Sequence, residues 1–353
     1  MLYFGTKDRV LFFQEPSCFN KHTEKDVLKY AIGANMYIPA TKHHIFEKLI
    51  NNEFHEVGAI TFCCEDAIPL AAVSEAEQNI LGILKNLDKR YKKDKNLLNQ
   101  LPLIFIRVRN VDQFRSFSSR LNKNTLRFLA GFNFPKFTSR NGREYFEILK
   151  NLSEKHNEVL YGMPILESEE IVEKETRLNE LHSIQEILNE YSDYLLNIRV
   201  GGTDFSSIFG LRRSVDKTIY DIKVISDCLM DILNFFLRKS QGYVISGPVW
   251  EYFSYNEDSK EIIGLKRELD MDIQNGFQGK TIIHPSQINV VNERYIVPYH
   301  DFVDATNILE KTGGVFKSSE GNRMNEVAPH TNWALKIVAR AKIFGVLERD
   351  ATI

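Results

Sequence analysis

Short apolar runs alternate with longer stretches of helical periodicity along most of the chain. The first run is Ala34-Asn-Met-Tyr-Ile-Pro39, the second Val57-Gly-Ala-Ile-Thr-Phe-Cys63 and the third Leu103-Ile-Phe-Ile106. Weaker runs lie at residues 129–134, 159–166 and 197–200, and two more at 242–245 and 280–283. Each is followed by sequence of helical length. Eight strands alternating with helices predict an α/β protein, a (β/α)8 TIM barrel.

Between the runs, Ile45, Leu49 and Ile50 recur at helical spacing, as do Leu178, Leu181, Ile184 and Leu188. Thr23-Glu-Lys-Asp26 resembles a capping box ahead of Val27-Leu28, with Gly33 suited to end that helix. The charge-rich stretch 85–95 reads as a solvated helix end and loop. After Pro285 the pattern changes to helices and loops, including 332–345. The expected division is a helical lead-in over 1–33, a TIM barrel over 34–285 and a helical C-terminal appendage over 286–353.

Composition alters this picture little. The 353 residues are 43% hydrophobic and 26% charged, enough to bury a large core. The formal net charge of −2, with acids and bases interspersed, argues against a nucleic-acid partner. No segment reaches the roughly 18 apolar residues of a membrane span. Residues 1–8 lack the apolar run of a signal peptide, and the four cysteines form no CxxC pair. A cytoplasmic protein with reduced thiols is expected.

The candidate chemistry follows from position. In a TIM barrel the active site lies at the C-terminal ends of the strands. Here the runs end in Glu65-Asp66, Arg107, Pro135-Lys136, Glu167, Gly201-Gly-Thr-Asp204, Ser246-Gly-Pro248 and His284. Glu167 and Asp204 stand on adjacent strands, and two carboxylates completed by water and substrate are the usual Mg²⁺ arrangement. Mn²⁺ accepts the same oxygen ligands. Arg107 could bind a substrate carboxylate or steady an enolate, and could also pair with Glu65 or Asp66. The Gly201-Gly202 pair lets backbone N–H groups approach a ligand closely. Taken singly, Glu167 and Asp204 also suit helix capping. Lys136 suits a phosphate or a neighbouring carboxylate, and Arg212 and Arg213 suit a second anionic group or surface ion pairs. His284 and the Cys63-Cys64 pair read as packing residues.

The stretch Gly276-Phe-Gln-Gly-Lys-Thr-Ile-Ile-His-Pro-Ser-Gln287 resembles the Gly-Phe-x-Gly-Lys-x-x-Ile-His-Pro-x-Gln signature of the HpcH/HpaI aldolase and citrate lyase β-subunit family. Cys63-Cys-Glu-Asp66, Arg107-Val-Arg-Asn110, Pro135-Lys136, Leu166-Glu167 and Gly202-Thr-Asp204 are similar to further family motifs in the same order. Arg199-Val-Gly-Gly-Thr-Asp-Phe205, Gly210-Leu-Arg-Arg213, Gly247-Pro-Val-Trp-Glu251 and His330-Thr-Asn-Trp-Ala334 resemble a branch of TIM-barrel carbon–carbon bond lyases associated with tellurite-resistance gene clusters.

The resemblance implies Mg²⁺ on Glu167 and Asp204. It implies Arg107 at the substrate, with Glu65 and Asp66 orienting the arginine and the waters on the metal. Gly201, Gly202, Thr203, Lys136 and Arg212 are the expected substrate-binding residues. The implied activity is carbon–carbon cleavage or condensation on a 2-oxo acid or acyl-CoA, in small-metabolite biosynthesis, by a homo-oligomer, a trimer or hexamer. Two rival expectations are a CoA-independent aldolase on a phosphorylated or nucleoside-like substrate and a non-catalytic ligand-binding barrel. The family's late acidic motif is matched only loosely by Glu320-Gly321 and Met324-Asn325, so no residue stands out as general acid.

Overall fold

The computed structural model describes residues 11–54, 56–238 and 242–351. The signal-peptide reading at residues 1–8 therefore lies outside the described residues. All eight predicted runs form strands. After β1 (Phe12–Gln14) come β2 (Ala34–Pro39), β3 (Ala59–Cys63), β4 (Leu103–Arg107) and β5 (Gly131–Phe134). They are followed by β6 (Tyr161–Leu166), β7 (Ile198–Val200), β8 (Ile245–Ser246) and β9 (Lys280–Ile282).

These strands form one parallel sheet in the order β8-β7-β6-β5-β4-β3-β2-β9. The gap between β8 and β9 is bridged where Gly247 pairs with Lys280, the Gly247 N–H donating to the Gly279 carbonyl at 2.8 Å. The fold is a (β/α)8 barrel. Its strands are covered on both faces, and β3, β4, β5 and β6 are buried along their whole length. This is why they read as continuous apolar runs and not as alternating ones. Helices such as Val73–Lys93, Gly142–His156, Lys174–Glu190 and Lys223–Phe236 lie between successive strands.

The expected capping box at Thr23 does not form. The helix Lys25–Leu28 starts behind Glu24 without a side-chain cap, and Thr23 Oγ1 accepts instead from the Asn20 N–H at 3.0 Å. The chain beyond β9 is helical in bulk, led by Tyr299–Glu310 and Val327–Phe344, which enclose a small apolar cluster of their own. It also holds strands that its sequence pattern did not show. β10 (Val315–Lys317) and β11 (Met324–Glu326) form a hairpin, and β12 (Val346–Leu347) pairs antiparallel with β1. Two or three residues hold too few alternations to reveal a strand.

A fully buried ionic group ties β9 to the helix Lys260–Asn275. Lys280 Nζ lies 3.0 Å from Glu268 and 2.6 Å from Asp272. Glu268 also accepts from Arg213 at 2.5 Å, and Asp272 from the Tyr220 hydroxyl at 2.6 Å.

Candidate active site at the barrel mouth

The strand ends bring Glu65, Asp66, Arg107, Lys136, Glu167 and Asp204 together. Each reaches the mouth because residues two apart on a strand face the same side and the barrel curls those faces inward. Arg107 is the last residue of β4, with its guanidinium held from two directions. Nη1 lies 3.0 Å from Glu65 Oε2 and 3.7 Å from Asp66. Nε and Nη2 donate to Cys63 Sγ at 3.1 and 3.0 Å. Burial pulls its pKa down, but Cys63, Glu65, Tyr37 and Glu167 raise it further, so it stays a cation.

Lys136 sits in the left-handed region, φ +47°, just after β5. This turn sends its ammonium into a group of four carboxylates. Nζ bonds Asp204 Oδ1 and lies 3.7 Å from Asp66 and 3.9 Å from both Glu65 and Glu167. Of the two roles open to Lys136 from sequence, neutralising carboxylates is the one this arrangement displays.

Neither metal candidate is a helix cap. Glu167, almost fully buried, accepts the Lys136 backbone N–H at 2.9 Å. The helix after β7 begins at Gly202, so Asp204 lies in its first turn and makes no cap bond. The glycine pair has a different use from the expected one. A Cβ on Gly201 would stand 2.3 Å from Glu167 Oε2 and 3.2 Å from Asp204 Oδ2. A Cβ on Gly202 would stand 2.8 Å from Pro248. The first glycine makes room for the two carboxylates, and the second for the loop after β8.

The mouth gathers the acids Glu65, Asp66, Glu167 and Asp204 around Arg107 and Lys136, with Arg199, Lys42 and Glu251 also lining the cavity. Burial, followed by Asp204, pushes the Glu167 carboxyl up to about 8. Burial likewise lifts Glu65 to about 7, against the pull of Arg107. Glu167 and Asp204 offer hard oxygen donors on both sides of Gly201, and the Lys136 ammonium already holds a positive charge there. Among the described residues no group of three or more His, Cys, Asp or Glu is arranged to hold a metal ion. A cation on these two carboxylates would therefore keep several water or substrate oxygens, which suits Mg²⁺ and not Zn²⁺.

The cavity at the mouth measures about 460 Å³. Glu167, Asp204, Arg107, Gly201, Gly202 and Thr203 all line it, as does Asp66. Arg212 does not. Its side chain is exposed and lies 3.6 Å from Glu251, which lines the rim. Arg213 is buried on Glu268, so it makes an ion pair inside the protein and not the surface pair weighed for it. His284 stacks on Phe253 at 4.2 Å and accepts from the Ser286 N–H, a packing and turn residue as expected.

Sequence reasoning missed three lining or supporting residues. Cys63 is more than a packing residue, since its sulfur faces Arg107. Its position two residues before Glu65 was the available signal. Tyr37 carries the Arg107 guanidinium 5.3 Å from its ring centre. Arg199 points into the cavity from β7, two residues before Gly201.

Among solved structures, a citrate lyase from Burkholderia xenovorans LB400 is similar with a TM-score of 0.66 at 13% identity, covering 88% of this chain and 92% of that one. A malate synthase from Haloferax volcanii, in a lead(II) complex, gives 0.56 at 12% identity over 79% and 75% of the two chains. Protein CitE from Mycobacterium tuberculosis, in complex with magnesium, acetoacetate and coenzyme A, gives 0.54 at 17% identity over 89% and 99%. At such identities these likenesses show a common fold. No curated protein matches the sequence. The family model described as C–C bond lyase of the TIM-barrel fold matches residues 26–346. With nearly the whole chain inside that match, the protein belongs to the family of TIM-barrel carbon–carbon bond lyases.

Proposed function

We propose that the chain cleaves, or in reverse forms, a carbon–carbon bond in a 2-oxo acid by retro-aldol or retro-Claisen chemistry that depends on Mg²⁺. The observation carrying this reading is that Glu167, Asp204 and Arg107 line one cavity at the C-terminal ends of the strands. Glu167 and Asp204 would hold the cation, for which Mn²⁺ could substitute. When bound, the cation polarises a carbonyl and favours the charge that develops as the bond breaks. Arg107, fixed by Glu65 and Cys63, offers a preorganised positive charge to the oxygen that becomes an enolate. Lys136 releases Asp204 to the cation and remains within reach of a substrate anion. Asp66 and Glu65 keep both side chains aimed at the cavity. Ile165, Val200 and Ile283 give it an apolar wall against which the reacting carbons can lie.

CitE binds magnesium, acetoacetate and coenzyme A, which supports a small oxo acid or an acyl-CoA as substrate class. A homo-oligomer and a role in small-metabolite synthesis rest on the family resemblance. The test is a thermal-shift titration with Mg²⁺, alone and with pyruvate, oxaloacetate or acetyl-CoA, beside Glu167→Ala and Asp204→Ala. A metal-dependent rise in Tm that deepens with an oxo acid and disappears in both variants is expected. A folded wild type with no response to Mg²⁺ overturns the reading and favours a non-catalytic barrel.

A further inference from the structure

Tyr37, on β2, is part-buried and lines the cavity. Its hydroxyl accepts from Asn133 Nδ2 on β5 at 2.8 Å. Two strands, β3 and β4, separate β2 from β5 in the sheet, so the phenol reaches across the barrel interior beneath the mouth. The β4–β5 register pairs Asn133 with Arg107. The phenol oxygen therefore lies at the level of the arginine that ends β4. Its own proton finds no acceptor among the described residues.

Two cations attend this ring. The Arg107 guanidinium lies 5.3 Å from its centre and that of Arg199 5.7 Å. Both interact electrostatically with the phenol oxygen. Arg199 rises from β7, is 1% exposed, and donates from Nη2 to Thr281 Oγ1 at 2.5 Å. Among the described residues no ion pair links it to a carboxylate, whereas Lys280 has Glu268 and Asp272 and Arg107 has Glu65. A buried guanidinium without a carboxylate is costly to keep. The group that does most to favour its charge is Tyr37.

Carbon–carbon cleavage needs a group that both takes and gives a proton. The other titratable residues of the cavity are engaged elsewhere. Glu167 and Asp204 serve the cation, and arginines keep their protons. Burial pulls the Asp66 carboxyl up, but Glu65, Arg107 and Lys136 bring it below its ordinary value, so it stays ionised and has no proton to give. Glu251 stands at the rim against Arg212 and Arg213. Tyr37 is left as the cavity group with an acidic O–H and cations placed around its oxygen.

We infer that Tyr37 carries the proton of the lyase reaction, and that Arg107 and Arg199 hold the charge on its oxygen between the two transfers. This rests on the metal–oxo acid reading above and adds the acid–base residue. In retro-aldol cleavage the phenolate oxygen takes the proton of the substrate hydroxyl as that C–O becomes C=O and the C–C bond breaks. The electron pair of that bond passes into the enolate of the departing oxo acid. The tyrosine O–H then gives the same proton to the enolate carbon, and a C–H bond forms. One proton has moved from oxygen to carbon, the phenolate is restored, and no oxidant or further reactant is consumed. Condensation runs the same steps backwards.

The test follows the C–H half of this cycle with pyruvate as the probe. The full chain loaded with Mg²⁺ is held with saturating pyruvate in D₂O, and loss of the methyl proton signal is timed by NMR. Calorimetric titration gives the pyruvate affinity beside it. The wild type is expected to exchange the methyl protons. Tyr37→Phe keeps the ring beside both arginines and leaves Asn133 its contact with Thr61 at 3.2 Å. Its exchange rate should fall about a hundredfold or more, the usual worth of a positioned acid–base group, with the pyruvate affinity kept. Arg199→Met should slow exchange about tenfold at unchanged affinity, the worth of one charged hydrogen bond, and decides the matter if Tyr37→Phe does not fold. A purely structural role for either side chain would move the Tm or the affinity and not the rate at saturation. Exchange at the wild-type rate in either variant, or a wild type that binds pyruvate with Mg²⁺ and exchanges nothing, overturns the inference and leaves the metal–oxo acid reading standing. If the Mg²⁺-loaded wild type binds no pyruvate, both fall together.

Discussion

Gly201 faces Glu167 so closely that a Cβ on the glycine would stand 2.3 Å from the carboxylate oxygen Oε2. It would also stand 2.4 Å from Glu167 Cβ, so no side chain fits there unless the end of β6 shifts and carries Glu167 with it. Gly201→Ala is therefore a selective way to displace one carboxylate while leaving its charge in the protein. Its φ is −100°, so alanine brings no backbone strain. The expected result is a folded protein whose Mg²⁺ affinity drops about ten- to a hundredfold, the range seen when a ligand's orientation is lost. Calorimetric Mg²⁺ titration of the variant measures this, and unchanged affinity would show that Glu167 does not hold the cation.

The pH dependence of stability has a defined sign. Burial, then Asp204, raises the Glu167 carboxyl from its ordinary 4.5 to about 8, with Lys136 and Arg107 opposing. The folded state then binds more protons than the unfolded state between those values, so stability falls as pH rises through that window. Glu65, raised to about 7, acts in the same sense. In EDTA the Tm is expected to decline from pH 5 to pH 8, and less steeply in Glu167→Gln. Mg²⁺ should raise the Tm more at pH 8 than at pH 6, because the cation binds the ionised carboxylates. A series of melts across this range, with and without Mg²⁺, decides it; a Tm that rises with pH in EDTA contradicts the assignment.

Cys63 gives Arg107 two of its contacts, at 3.0 and 3.1 Å. Removing the sulfur leaves Nε and Nη2 unpartnered, and also frees the Glu65 backbone N–H that donates to it at 3.4 Å, while the Glu65 carboxylate keeps its contact with Nη1. Cys63→Ala is expected to weaken Mg²⁺-dependent oxo-acid binding about fivefold, one modest hydrogen bond's worth. Cys63→Ser keeps an acceptor and should recover most of it. If alanine and serine behave alike, the sulfur only fills space.

Lys280 carries no role in the cavity, yet it neutralises two fully buried acids. Lys280→Met leaves Glu268 with Arg213 as its remaining cation and Asp272 with only the Tyr220 hydroxyl, and burial already biases Asp272 towards its neutral form. The expected loss is about 3–5 kcal/mol of unfolding free energy, the usual result of breaking a buried pair from one side. Urea denaturation reads this directly, as a lower midpoint at constant slope.

The sequence by itself determined the barrel. Parallel strands buried on both faces are largely apolar, so β2 to β9 could be located from the pattern of apolar runs. It also located Glu65, Asp66, Arg107, Lys136, Glu167 and Asp204 at strand ends, because the strand-to-helix turn is where a barrel exposes polar groups. Which partners they chose was not legible. Glu167 and Asp204 suited helix caps equally well in one dimension; the turn at Lys136 and the missing side chain at Gly201 direct them to each other. The roles of Cys63 and Arg199 were likewise invisible, since a cysteine or arginine inside an apolar run carries no local mark. Only the closing of the sheet, which brings β3 against β4 and β7 across from β9, decides that one sulfur cradles Arg107 and that one buried guanidinium faces the cavity without a counter-ion. Local pattern fixes which way a side chain points along its own strand, whereas charge pairing depends on residues from strands far apart in the chain.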